Sequence, residues 1–196
     1  MIEHRASIDR QDASGNTSLH CLALSQQIIF NDHQNKERIA CSLFHAAHHS
    51  LQIYLEMENK DHKTALSLAC EYGNEYLVQI LLRFNASIDH YMPIHMAVKS
   101  GNVLIVQLLI THHVQLTLFN GCHQNPLHIA CKYNRIDVLQ VLIDSGMDLE
   151  VQDDQGYTSL LTAAYFNHET CMRILLMHGV DITVTDKYRK NICKSN

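Results

Sequence analysis

The sequence predicts an all-α solenoid of five stacked helix-turn-helix repeats with short β-like hairpin fingers between them. Three observations predict it. Thr64–Cys70, Pro93–Ala97, Asn125–Cys131 and Thr158–Ala164 share one pattern, in which a helix-starting residue precedes apolar and small residues. The pattern has a fixed period: Ile94 and Leu127 lie 33 residues apart, and so do Leu127 and Leu160. A second segment with apolar residues at helical spacing follows each copy, as in Leu77-Val78-Ile80-Leu81-Leu82 and Val138-Leu139-Val141-Leu142-Ile143.

Each element has a local cause. Thr17, Thr64, Asn125 and Thr158 can accept from the orphan amides of a helix start. Pro126 falls at a first helical position, where its missing N–H costs nothing. Gly73-Asn74, Gly101-Asn102, Asn134 and Asn167 supply the left-handed residue that ends the first helix of a pair. The second helices include Val103-Leu104-Val106-Leu108-Leu109 and Cys171-Met172-Ile174-Leu175-Leu176. Gly146 and Gly179 stop two of them, and an extended segment such as Asp148-Leu149-Glu150-Val151 leads to the next copy. An upstream copy, Thr17-Ser18-Leu19-His20-Cys21-Leu22-Ala23, brings the number to five. One copy cannot bury its apolar face alone, so neighbours must stack.

These residues resemble the ankyrin signature T-P-L-H-x-A, whose period is about 33 residues. The resemblance covers nearly the whole chain. It implies one ankyrin-repeat domain over 1–196, with repeats at 6–52, 53–85, 86–113, 114–146 and 147–179 and a partial finger or cap at 180–196. It also implies that His20, His95 and His128 tie neighbouring loops by hydrogen bonds. The positions matching a finger asparagine that is hydroxylated in some ankyrin arrays are Asp9, Tyr54, Asp89, Thr117, Glu150 and Thr183. None is Asn, so that modification is not expected.

Two spacings depart from the period. Leu19 to Leu66 is 47 residues, 14 too many, with the excess around Ser25 to Glu37 and near His48 to Gln52. The stretch Ile28–Lys36 is expected to bulge between the paired helices of repeat one, with the second helix running from near Glu37 to about Ser50. Leu66 to Ile94 is only 28 residues, five too few, so the finger between repeats two and three should be stunted. Met92 there cannot cap as Thr would. Ala6–Asp12 and Thr183–Lys187 read as fingers, so the pattern starts and stops part-way, and excision from a longer protein is the expectation.

Composition narrows the function classes. The chain is 46% hydrophobic, with a net charge of −5 and no basic run. A core-forming protein is expected, without nucleic-acid binding or membrane insertion. The seven dispersed cysteines read as reduced thiols of a cytoplasmic or nuclear protein, or of the host cytosol for an effector. No G-x-S-x-G, phosphate-binding glycine loop or H-E-x-x-H motif is present, so the chain reads as no enzyme and needs no cofactor. Cys41, His45 and His48, with His49 adjoining, share a helix face and are the candidate zinc ligands, although no fourth ligand stands out.

The stronger expectation is a protein-binding face on repeats two to five, where the resemblance implies a concave surface lined by the fingers and first helices. Positions just before each inter-helix turn fall outside the apolar pattern: Glu71-Tyr72, Lys99-Ser100, Lys132-Tyr133 and Tyr165-Phe166. Finger tips add Lys60, Asp61, Lys63, Cys122, Gln124, Asp154, Gln155 and Tyr157. Aromatic residues interleaved with charge suit an interface. The partner-binding set is thus Tyr72, Glu71, Lys99, Lys132, Tyr133, Tyr157, Tyr165, Phe166, Asp154, Gln155 and Gln124, on a monomeric scaffold or adaptor. A regulatory domain of a longer protein, a microbial effector that engages a host protein, and a metal-binding protein are the alternatives.

Overall fold

The computed structural model describes residues 8–25, 33–47, 50–89 and 92–188. They form eleven helices and, among the described residues, no strand. The chain divides into two compact units, Met1–Pro93 and Ile94–Asn196.

The first unit holds α1 (Ser18–Leu24), α2 (His33–Ala47), α3 (Leu51–Leu55), α4 (Ala65–Glu71) and α5 (Glu75–Arg83). Helices of this length are marginal alone in water and persist because their apolar stripes are buried against neighbours. α1 packs on α4, and α2 and α4 pack on α5. Leu19, Leu55, Leu66, Leu77 and Leu81 form the fully buried centre. Phe44 of α2 meets Phe84 with ring centroids 4.3 Å apart.

The second unit contains α6 (Pro93–Ser100), whose first residue closes the first unit, α7 (Val103–Thr111), α8 (Pro126–Lys132), α9 (Ile136–Asp144), α10 (Ser159–Tyr165) and α11 (Glu169–Met177). α8 packs on α10, α7 on α9, and α9 on α11. Ile94, Ile105, Leu109, Leu127, Leu139, Leu142 and Leu160 are fully buried.

The helix boundaries follow from the residues at them. Side chains of Thr64, Asn74, Asn102, Asn125 and Thr158 each accept an amide hydrogen bond from three residues on. Gly73, Gly101, Asn134 and Asn167 all take positive φ. The residue after the turn then donates back into the first helix, as in Asn74 N to Ala69 O (2.8 Å), Arg135 N to Ala130 O (2.9 Å) and His168 N to Ala163 O (2.9 Å).

The fingers are turns knotted by one acidic or amide side chain. Asp12 Oδ1 accepts from Ser14 N and Asn16 N, Asn59 Oδ1 from Asp61 N and Lys63 N, Asn120 Oδ1 from Cys122 N and Gln124 N, and Asp153 Oδ1 from Gln155 N and Tyr157 N. Backbone bonds stitch one finger to the next within each unit: Lys60 N to Ser14 O (3.0 Å) in the first, Asp154 N to Cys122 O (3.2 Å) and Lys187 N to Gln155 O (2.9 Å) in the second.

The first repeat departs from the sequence expectation. α2 begins at His33, four residues before the expected Glu37, so residues 33–36 are helical and do not bulge. The rest of that stretch, residues 28–32, lies outside the described residues. α2 stops at Ala47, and the surplus near residue 50 forms the extra helix α3. Tyr54, read as a finger residue, is instead buried in α3 beside Leu55, since a short helix hides both large side chains.

The junction before α6 is also irregular. Met92 sits at φ +54°, whereas the caps Thr17, Thr64, Asn125 and Thr158 are extended. Positive φ is uncommon for a residue with a Cβ, and a following proline favours extended backbone instead. Residues 90–91 of the shortened finger lie outside the described residues.

Candidate partner-docking face

In the second unit the first helices of each pair bury Ile94, Ala97 and Val98, then Leu127, Ala130 and Cys131, then Leu160 and Ala163. The two residues before each left-handed residue, Gly101, Asn134 or Asn167, rotate off the core, and that residue ends the helix before it can turn them back. Tyr133 is 39% exposed, Tyr165 69% and Phe166 41%. Lys99, Ser100 and Lys132 are half-buried. In the first unit Tyr72 holds the same position at 42% exposure. Beside it Glu71 is half-buried and ion-paired with Lys63.

Two clusters emerge. Around Tyr133, Lys99 Nζ lies 6.0 Å and Lys132 Nζ 5.8 Å from the ring centroid, within cation–π range. Arg135 Nε donates to the Lys99 carbonyl at 2.9 Å, so a third cation borders the same turn. Around Tyr165, Phe166 meets the ring edge-on at 5.1 Å, Tyr157 lies at 5.8 Å, and His168 stacks on Phe166 at 6.1 Å. Burial raises the Tyr157 phenol above its usual range, helped by Asp186, Tyr165, Asp153 and Tyr188.

The polar finger residues divide by what they already do. Gln124 Nε2 donates to Asp153 Oδ2 at 3.2 Å, and its carbonyl accepts from His95 Nε2 at 3.0 Å, so it ties two fingers together. Gln155 and Asp154 are exposed side chains on backbone that carries the finger stitching.

The three signature histidines are buried ties. His20 Nε2 donates to Lys63 O (2.9 Å) and His128 Nε2 to Tyr157 O (2.8 Å), matching the bond His95 makes. Burial holds all three below the usual histidine range, partly opposed by those carbonyls. They stay neutral at pH 7.

Of the candidate zinc ligands, Cys41 is half-buried and His45 exposed on α2, while His48 and His49 lie outside the described residues. Among the described residues no group of three His, Cys, Asp or Glu could hold a metal ion, and no helix is long and apolar enough to cross a membrane.

Sequence reasoning missed three contributors. Tyr188 is 71% exposed two residues after Asp186, whose Oδ1 accepts its N–H. Arg135 looked like an ordinary helix-start residue. The knot residues Asp12, Asn59, Asn120 and Asp153 carried a usable signal, since a positive-φ residue follows each by three: Gly15, His62, His123 and Gly156. Histidine in place of glycine in two copies hid it.

A family model described as ankyrin repeats (3 copies) matches residues 1–120 and again residues 95–186. No curated protein matches the chain significantly.

Proposed function

The chain belongs to the ankyrin-repeat family, and from that premise we propose that it is an interaction scaffold or adaptor that docks a partner protein on the outward helix ends of repeats three to five. Ankyrin repeats are generally protein–protein interaction modules, and the family is typically non-enzymatic. The observation that carries the reading is the exposed aromatic pair Tyr165 and Phe166, with Tyr157 beside Tyr165. Folding gains nothing from leaving large rings in water, whereas interface centres are enriched in Tyr and Phe. Tyr165 and Phe166 end the short helix α10, which is anchored by the fully buried Leu160, so a partner meets a preformed surface and little ordering entropy is lost on binding. The dispersed cysteines favour a reducing compartment, cytoplasmic or nuclear, as the place of that work.

The test compares the parent chain with a Tyr133→Ala, Tyr165→Ala, Phe166→Ala variant in affinity capture from lysate. Captured proteins are identified and their affinities remeasured with purified partner, after circular dichroism shows equal helix content. Loss of a partner from the variant supports the face. Equal retention moves the docking surface elsewhere.

A further inference from the structure

The outward helix ends of the second unit are chemically one-sided. They are Lys99, Ser100, Lys132, Tyr133, Tyr165 and Phe166, and no Asp or Glu stands among them. Lys99 and Lys132 flank the Tyr133 ring, and Arg135 borders the same turn through its bond to the Lys99 carbonyl. One repeat later the surface is aromatic, with Tyr165 set edge-on to Phe166 and bordered by Tyr157. Of the finger carboxylates near Tyr157, Asp153 and Asp186 are engaged within the fingers, while Asp154 stands exposed at the finger tip. Asp153 accepts from Gln124 Nε2, Gln155 N and Tyr157 N, and Asp186 accepts from Tyr188 N; both are buried. The face therefore offers positive charge at one repeat and apolar ring surface at the next.

Resting on the docking role proposed above, we infer that the occupant is an acidic peptide segment in the polyproline II conformation. An Asp or Glu of that segment sits at Lys132, with Lys99 beside it, and an apolar side chain three residues away sits on Tyr165 and Phe166.

The charge half follows from complementarity. A carboxylate brought to two ammonium groups is attracted, and a basic segment is repelled. The spacing half follows from geometry. α8 carries Lys132 and Tyr133, α10 carries Tyr165 and leads to Phe166, and the two helices pack directly. Packed helices stand about 8–10 Å apart. A polyproline II chain has three residues per turn and rises about 3.1 Å per residue, so residues three apart face the same way at about 9 Å. A β-strand points residues three apart to opposite sides. An α-helix advances only about 4.5 Å over three residues and would need the two side chains seven positions apart, about 10.5 Å, so the spacing in the selected peptides separates the two conformations.

The probe is a random-peptide display library selected on the intact chain. The inference expects enriched peptides with an Asp or Glu and an apolar residue three positions apart. A synthetic peptide of that consensus should bind about fivefold or more weakly to Lys132→Glu, with unchanged circular dichroism. Its affinity should fall as salt rises. Proline in the two spacer positions should strengthen binding and glycine weaken it, because polyproline II is what proline prefers. Peptides without an acidic residue that still lose binding on Tyr165→Ala would overturn the acidic partner and leave the docking face standing. Peptides indifferent to both Lys132→Glu and Tyr165→Ala overturn both readings. A folded chain that selects no peptide also overturns the inference.

Discussion

Met92 stands three residues before His95, where Thr17 precedes His20 and Asn125 precedes His128, and it leaves His95 Nδ1 buried without a hydrogen-bond partner. In the other two repeats the cap residue serves that nitrogen. Thr17 presents its N–H at 3.2 Å and its hydroxyl at 2.7 Å to His20 Nδ1, and Asn125 donates its N–H to His128 Nδ1 at 3.4 Å. Met92 has no polar side-chain atom, and its φ of +54° departs from the extended backbone of those caps.

A buried acceptor left unpaired costs about 1–3 kcal/mol. Met92→Ser supplies a hydroxyl that can donate to His95 Nδ1, and serine is among the best cap residues. The expected outcome is a chain more stable by about 1 kcal/mol, read as a higher urea midpoint by circular dichroism. An unchanged or lower midpoint would mean that the backbone at residue 92 cannot bring the hydroxyl to the ring.

The same junction shows how much of the fold could be read beforehand. The paired helices, the caps at Thr64 and Asn125 and the turns at Asn134 and Asn167 were legible because each depends on residues within a few positions. The early start of α2 at His33 and the burial of Tyr54 were not. Both depend on how surplus chain finds apolar cover, and no local residue specifies that. On the docking face, the outward positions followed from helical period alone. The approach of two lysines to Tyr133, and the place of Tyr188 beyond the last complete repeat, depend on neighbouring repeats and had no local signal.

The finger knot gives a second expectation. Asp153 accepts two backbone amides and the Gln124 side chain, and it is buried. Asp153→Ala strands those donors and should destabilise the chain by about 1–3 kcal/mol. Asp153→Asn keeps an oxygen for the two amides and should recover most of the loss. Chemical denaturation of the three proteins measures this. An alanine variant as stable as the parent would show that water satisfies the finger without the side chain.

Thiol reactivity tests the burial pattern repeat by repeat. Cys21 and Cys122 are exposed, while Cys70, Cys131 and Cys171 are buried. Burial alone raises the Cys70 thiol far above the usual range, so it is both hidden and protonated. A chromogenic disulfide reagent should modify Cys21 and Cys122 quickly in native protein, and the three buried thiols only on unfolding. Mass spectrometry of the labelled peptides assigns the sites. Fast labelling of Cys70 would mean that α4 is not packed as described.

Acid sensitivity follows from the buried histidines. Burial lowers His20, His95 and His128 below the ordinary value of 6.5, and His95 has only the Gln124 carbonyl to offset it. In the unfolded chain these rings take up protons near 6.5, while in the folded chain they do so only at lower pH. Between those values the unfolded state binds more protons, so stability falls as pH drops below 6.5 and is fully present above it. Each histidine can contribute a slope of up to about 1.4 kcal/mol per pH unit in that window. Urea midpoints measured from neutral pH downward should therefore begin to fall before the carboxylates titrate. His128→Gln should make that fall shallower, since glutamine keeps a donor for the Tyr157 carbonyl but has no proton to gain. A parent whose midpoint stays flat until the carboxylate range would show that these imidazoles are hydrated enough to protonate within the fold, and the histidine ladder would then lose its role as the acid-labile tie between repeats.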